Sequence, residues 1–347
     1  MPDLTPHTVI PLLPRCHTPV TIPRLSSSPD NPVPPVSSTT HTIGAIPRPA
    51  TATTTRRRAR ARPALLATAL LAPSAVFLLL FTYAPVVRVL ISSLTVRTFQ
   101  GAAHPGIGNY TRLFADPHFA KAVTNNLLYA AGTIIPSLTL ALAFALGLRE
   151  STRLHTTLRT LIALPLLIPL VAAAALFIFI FLPGAGLLDY YLAKLGISET
   201  NWLGDPSIAL GSIIAITVWK NTGYYMLFFL AGLSGIPQDF IDAAKIDGAS
   251  AWQRFRRITF PLLMPTLGFV SVIAILNVLT QVDHVIVMTQ GGPSDSTSLV
   301  LFYIYQQAHQ NYDIGLASAA TVVSVAFLFI LSITSLRTLE RGTHYES

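Results

Sequence analysis

Charge is scarce in this sequence. Asp, Glu, Lys and Arg make up 11% of its 347 residues, against roughly 25% in an ordinary soluble domain. Hydrophobic residues reach 52%, a balance that excludes a solvated globular domain for most of the chain. Cysteine is almost missing: Cys16 stands alone, so no disulfide framework and no thiolate metal site is expected. The nine histidines never take HExxH-type spacing, so no metal site is expected from them either. None of the four lysines follows a glycine, which rules out a GxxxxGK[ST] loop and an intrinsic P-loop ATPase. A GxSxG elbow and a chain of carboxylates suited to proton relay are also lacking, so no catalytic residues and no cofactor of its own are expected. The net charge is +8, but the basic residues cluster beside apolar runs. That placement sets membrane topology and argues against nucleic acid as a partner.

Residues 1–62 are rich in Pro, Thr and Ser and end in Arg56, Arg57, Arg58, Arg60 and Arg62. Such a segment buries too little surface to offset its ordering entropy, and reads as a disordered basic tail. A transit or signal peptide is the rival reading. Against it, the next apolar run is long enough to span and lacks a clear small-residue cleavage site. A start assigned too far upstream is a third reading, since no methionine separates Met1 from Met226. From residue 63 to 340 the chain reads as a transmembrane domain, with 341–347 as a C-terminal tail. Six runs have spanning length, near 64–94, 126–148, 160–182, 208–233, 262–288 and 314–336, each close to the ~20 residues a bilayer needs. The fold expected is therefore an all-α polytopic membrane protein with six transmembrane helices.

Loop charges orient it. Arg149, Arg153 and Arg159 lie in the second connection, Lys245, Arg254, Arg256 and Arg257 in the fourth, and Arg337 and Arg341 come after the last run. The alternate connections are poorer in Lys and Arg, and the fifth has none. By the positive-inside rule both termini are cytoplasmic, as is the polar loop 236–260.

That loop is the most informative stretch. Pro237 suits a first helical turn, Gln238 to Ile246 reads as a short helix, and Asp239 and Asp242 favour its N-terminal end. Asp247-Gly248 marks a turn, in which Gly supplies positive φ and Asp can cap the next helix. That second helix, near 249–258, places Trp252, Phe255 and Ile258 on one side and its arginines largely elsewhere, an interfacial pattern. Physics alone leaves open an ordinary amphipathic loop.

The spaced set Asp242-Ala243-Ala244, Asp247-Gly248-Ala249, Phe255, Ile258 and Phe260-Pro261 resembles the EAA loop of permease subunits of ABC importers, with Asp242 where that family usually has Glu. Trp219 to Tyr224 and Thr289-Gln290-Gly291-Gly292-Pro293 add to the likeness, which extends over residues 64–340 and has the flavour of carbohydrate permeases of the maltose and sn-glycerol-3-phosphate type. The resemblance implies that Asp242, Ala243, Ala244, Asp247 and Gly248 couple to a cytoplasmic ATPase. It further implies a second permease subunit, two copies of an ATP-binding subunit that carry ATP and Mg, an extracytoplasmic substrate-binding protein, and a place in the bacterial inner membrane. The solute implied is a sugar or sugar-like polyol.

Polar residues inside spans are expensive and point to function. Thr217, Asn221 and Tyr224 share one helical face by spacing, and Asn277, Thr280, Gln281 and His284 are expected to share another. Matching by the landmarks of the resemblance places Thr217, Asn221, Tyr224, Thr280 and Gln281 on a substrate pathway, where hydroxyl, amide and aromatic groups suit a polyol. Helix–helix hydrogen bonding is the plainer alternative. Lys220 and Asp283 read as structural, near span ends or paired with one another, and Arg88 as a residue reaching toward the interface. A glycerol-phosphate or glycerophosphodiester importer is the rival within transport. An ATPase-independent secondary carrier, a membrane-embedded enzyme and a membrane scaffold are rivals from other classes.

Overall fold

In lipid every backbone polar group needs an internal partner, so apolar runs of this length become helices. The computed structural model describes residues 69–97 and 103–342, all within one compact unit, Leu66–Ser347. The basic tail 1–62 and residues 343–347 of the C-terminal tail lie outside the described residues.

Helix α1 is Ala69–Ser93. A two-stranded antiparallel hairpin comes next, β1 (Thr95–Arg97) paired with β2 (Ala103–Pro105), a small addition to the all-α expectation. Then come α2 (Gly108–Ala115), α3 (Pro117–Gly147), α4 (Arg153–Ala163), a 3₁₀ turn (Leu164–Leu167), α5 (Leu170–Ile180), α6 (Leu187–Ala193), α7 (Ala209–Ser234) and α8 (Gln238–Ile246). Helix α9 runs from Ala251–Arg254 through a π turn, Phe255–Thr259, into Phe260–Thr280. The order closes with α10 (Asp283–Met288), α11 (Val300–His309) and α12 (Ile314–Gly342).

Five helices are long and apolar enough to cross a membrane. The sixth expected helix is not continuous: the run 160–182 is divided between α4 and α5, which meet at an angle of 100°. The sequence LPLLIP forces the break. Pro165 opens the 3₁₀ turn, and Ile168, which precedes Pro169, is extended at ψ 125°, as the residue before a proline prefers. The fifth run also differs. Its helix begins inside the polar loop, so the expected separate helix 249–258 is the start of α9. At the other end α9 stops at Thr280, and Gln281 is extended before α10 begins.

Two π turns share a cause. Leu79–Tyr83 stands two residues before Pro85, and Phe255–Thr259 two residues before Pro261. A proline lacks N–H and its ring clashes with the carbonyl four residues back, which a widened turn relieves.

The core sits between α3, α7 and α9. Tyr225, Met226, Phe229 and Leu233 of α7 pack against Ala141 and Ala145 of α3 and against Leu263, Val270 and Ala274 of α9. The small residues let the helices approach closely, and packing dispersion holds them where lipid offers no hydrophobic drive.

Candidate functional site

The loop between α7 and α9 is built as a surface element on a buried seat. Ile236, Ile241 and Ala244 are buried, and the two isoleucines join the cluster that holds Leu233 of α7 and Leu263 of α9. The remaining positions of α8, among them Asp239, Phe240, Asp242, Ala243, Lys245 and Ile246, are exposed. Ala244 thus seats the helix, while Asp242, Ala243, Asp247 and Gly248 are exposed. Sequence reasoning passed over Phe240 and Ile246, which are 56% and 88% exposed. Only the buried side of α8 shows which of its apolar residues face outward, so the sequence carried no separate signal for them.

The end of α8 is locked. Gly248 lies at φ +75°; its N–H donates to the Lys245 carbonyl at 3.1 Å and the Ala249 N–H to the Ala244 carbonyl at 2.9 Å. This is the paired closure of a Schellman motif, which favours glycine. The expected cap from Asp247 is not formed. Ser250 caps the next helix, accepting from the Gln253 N–H while Gln253 Oε1 accepts from the Ser250 N–H. Asp242 accepts from Lys245 Nζ at 2.8 Å, and that hydrogen bond holds its carboxyl below the usual carboxylate range. The second connection is tied in as well: Arg159 donates to the carbonyls of Leu148 and Glu150.

The stretch Trp219 to Tyr224 explains how the bundle tolerates its broken span. Lys220 Nζ donates to the Pro165 carbonyl at 3.1 Å and to the Ile168 carbonyl, so it satisfies backbone groups that the prolines free. Asp283 is not its partner among the described residues. Three residues on, a Cβ at Gly223 would stand 2.1 Å from the Ile162 carbonyl oxygen. Glycine is therefore required for α4 to approach α7.

The polar residues expected on the pathway divide. Thr217 is 1% exposed and its hydroxyl lies 2.9 Å from the Tyr129 hydroxyl, which lies 2.9 Å from His284 Nε2. This chain joins α3, α7 and α10, and Tyr129 was not anticipated. Its signal was weak, one tyrosine in a long apolar helix. Asn221 is buried. Tyr224 is half-buried, its ring 5.0 Å from that of Phe228 and nearly perpendicular to it. Asn277 donates to the Tyr225 hydroxyl at 3.2 Å. Thr280 is exposed, and Gln281 has a buried Oε1 without a hydrogen-bond partner. Because α9 ends at Thr280, His284 does not continue the face of Asn277 and Thr280 as expected.

The Gly-Gly-Pro segment is a tight loop between α10 and α11. Gly291 lies at φ +81°, and a Cβ there would meet the Phe302 ring at 2.4 Å. Asn125 of α3 donates to the carbonyls of Asp295 and Ser298 at 2.6 and 3.0 Å, which fastens the loop to the bundle. Among the described residues no group of three or more metal-ligating side chains occurs.

Residues 137–344 match the family described as binding-protein-dependent transport system inner membrane component. The chain is similar to the sn-glycerol-3-phosphate transport system permease protein UgpA of Brucella abortus, 31% identical over 279 residues that cover 80% of this chain and 95% of that protein. It is 32% identical to the sulfoquinovosyl glycerol transport system permease protein SmoG of Agrobacterium fabrum, over 79% of this chain and 90% of that protein. With the trehalose/maltose transport system permease protein MalF of Thermococcus litoralis it shares 34% over 66% and 77% of the two. Among solved structures, a bacterial ABC transporter involved in import of the acidic polysaccharide alginate has the same fold. The TM-score is 0.73 at 23% identity, covering 82% of this chain and 99% of that one.

Proposed function

The chain belongs to the family of binding-protein-dependent transport system inner membrane components, and we propose from that premise that it forms, with a second permease subunit, the translocation path of an ATP-driven importer for a sugar or sugar-like polyol. It is a multi-pass membrane protein and a transport subunit. Both termini and the loop 236–260 lie in the cytoplasm in this reading. ATP and Mg are held by two copies of a separate ATPase subunit, and an extracytoplasmic binding protein delivers the solute.

The observation that carries the reading is the outward face of α8. A helix seated by Ile241 and Ala244, locked by Gly248 and presenting Phe240, Asp242, Ala243 and Ile246 has the form of a plug for another protein's cleft. Closure of the ATPase pair around ATP would push on α8, and its seat against α7 and α9 would pass that movement into the bundle. Asn221, Tyr224, Thr280 and Gln281 are the residues proposed to meet the solute. Thr217, expected among them, is buried with its hydroxyl engaged by that of Tyr129.

A second reading, import of sn-glycerol-3-phosphate or a glycerophosphodiester, is favoured by the similarity to UgpA. An anionic solute would want a cationic partner on the path. Lys220, next to Asn221 on α7, has its ammonium committed to the carbonyls of Pro165 and Ile168. That commitment supports the neutral polyol. Uptake by a strain lacking the chain, with the chain supplied in trans and labelled maltose, trehalose or glycerol-3-phosphate offered, tests the two readings. Restored uptake of a neutral sugar supports the first and restored uptake of the phosphate ester the second. Uptake unaffected by loss of a co-purifying ATPase contradicts both.

A further inference from the structure

Between α5 and α7 the chain leaves the membrane segments for residues 181–208, and its one helix there, α6, has two unlike faces. On the inner side Leu188 packs with Phe181 and Trp202. Asp189, 5% exposed, accepts from the Gly184 N–H at 2.8 Å and from the Trp202 indole N–H at 2.7 Å. This clamp fixes the rotation of the helix. Its other face presents Leu187, Tyr190 and Tyr191, and beyond the helix Leu195 and Ile197, with Leu195 76% exposed. Lys194 stands 4.3 Å from the Tyr190 ring centre and is the only Lys or Arg between Arg159 and Lys220.

Two further observations say what covers this face. The preceding helix α5 exposes Leu176 and Phe179, and Leu182 after them is exposed too, so outward apolar side chains continue along the chain from a membrane segment onto α6. Helix α5 has 11 residues, about 16 Å at 1.5 Å each, roughly half of a ~30 Å hydrocarbon layer. A half-length segment bent from its other half has no length match to fix its depth. A tyrosine pair with one long cation is the composition of a lipid–water boundary, where rings sit at headgroup level and the ammonium reaches phosphate.

We propose that α6 lies in the headgroup layer of the bilayer, in the leaflet opposite the loop 236–260, and anchors the outer end of the broken span. Helix α7 crosses between the two, which places them on opposite sides. Leu187, Tyr191 and Leu195 enter the acyl boundary and Lys194 pairs with lipid phosphates.

The test is a nitroxide on Tyr191→Cys and, separately, on Leu195→Cys. Both carry Cys16→Ser and are studied as the assembled complex in nanodiscs of phosphatidylethanolamine and phosphatidylglycerol. Lys121→Cys, on the exposed first turns of α3, is the aqueous reference. Collisions with oxygen should exceed those with a water-soluble nickel chelate severalfold over the ratio at the reference. A ratio equal to the reference at both positions would place α6 in water and overturn the proposal. Low access to both reagents, with or without added binding protein, would show that protein covers the face, and would also overturn it.

Discussion

The ammonium of Lys220 donates to the carbonyl of Pro165, 55 residues earlier in the chain and 3.1 Å away. One residue in an unbroken helix thus holds the break in another. Lys220→Met keeps the length of the side chain and removes every donor. It should leave the Ile168 carbonyl unpaired within the bundle and the Pro165 carbonyl with only the Ile168 N–H, at a cost of about 1–3 kcal/mol. The complex should melt earlier in nanodiscs, and Lys220→Arg should restore part of the loss. An unchanged melting temperature in Lys220→Met contradicts the assignment.

Gly223→Ala tests the same junction from the other side. Its Cβ would sit 2.1 Å from the Ile162 oxygen, so α4 and α7 must separate. Overpacking of this kind costs typically about 1–3 kcal/mol. Lower yield of assembled complex and a lower melting temperature are the expected readouts, and a wild-type profile would count against the close approach.

At Gly248 a Cβ would meet nothing within 4 Å, so only the backbone conformation is at stake. Gly248→Val places a β-branched residue at φ +75°, at a cost of about 1–3 kcal/mol. It should reduce binding-protein-stimulated ATPase activity. Gly248→Asn, which tolerates this conformation, should keep most of it. Equal activity in the two variants would separate the Schellman closure from coupling.

Asp189 carries a pH prediction. The Gly184 N–H first, and then the Trp202 indole, hold its carboxyl below the ordinary range. A depressed carboxylate contributes stability that is present above its unfolded pKa, near 3.9, and is lost as pH falls through the lower folded value. Trp202 emission should therefore shift only at pH below about 4. Asp189→Asn should abolish that acid shift and loosen α6 at neutral pH. A shift that persists in the variant would assign it to another group.

Much of this was legible in the sequence because the bilayer allows few solutions. The ends of α7 and the helix Gln238–Ile246 could be read from apolar length and from Pro237 and Gly248. The break in the third run and its 100° angle were not read, although Pro165 and Pro169 lie in that run, because an isolated proline such as Pro136 is accommodated inside α3. The difference lies in two prolines four residues apart and in a lysine on another helix. For the same reason the sequence left Lys220 near a span end or paired with Asp283, whereas it lies within α7 and donates to the carbonyls of the break. Thr217, Asn221 and Tyr224 do share a face, yet periodicity does not say whether that face meets solute or the Tyr129 hydroxyl. Phe240 and Ile246 needed the seat of α8 to be seen before their exposure had meaning.

In this account α8 couples the permease to an ATPase that answers to a solute-loaded binding protein. The direct test is the ATPase rate of the purified complex in nanodiscs, with its binding protein, against disaccharides, glycerol-3-phosphate and glycerophosphocholine. Stimulation by a neutral sugar is predicted only when the binding protein is present, and its loss is predicted in a Phe240→Asp, Ile246→Asp variant. A complex that contains no ATPase subunit, or a rate indifferent to both solute and binding protein, would contradict it.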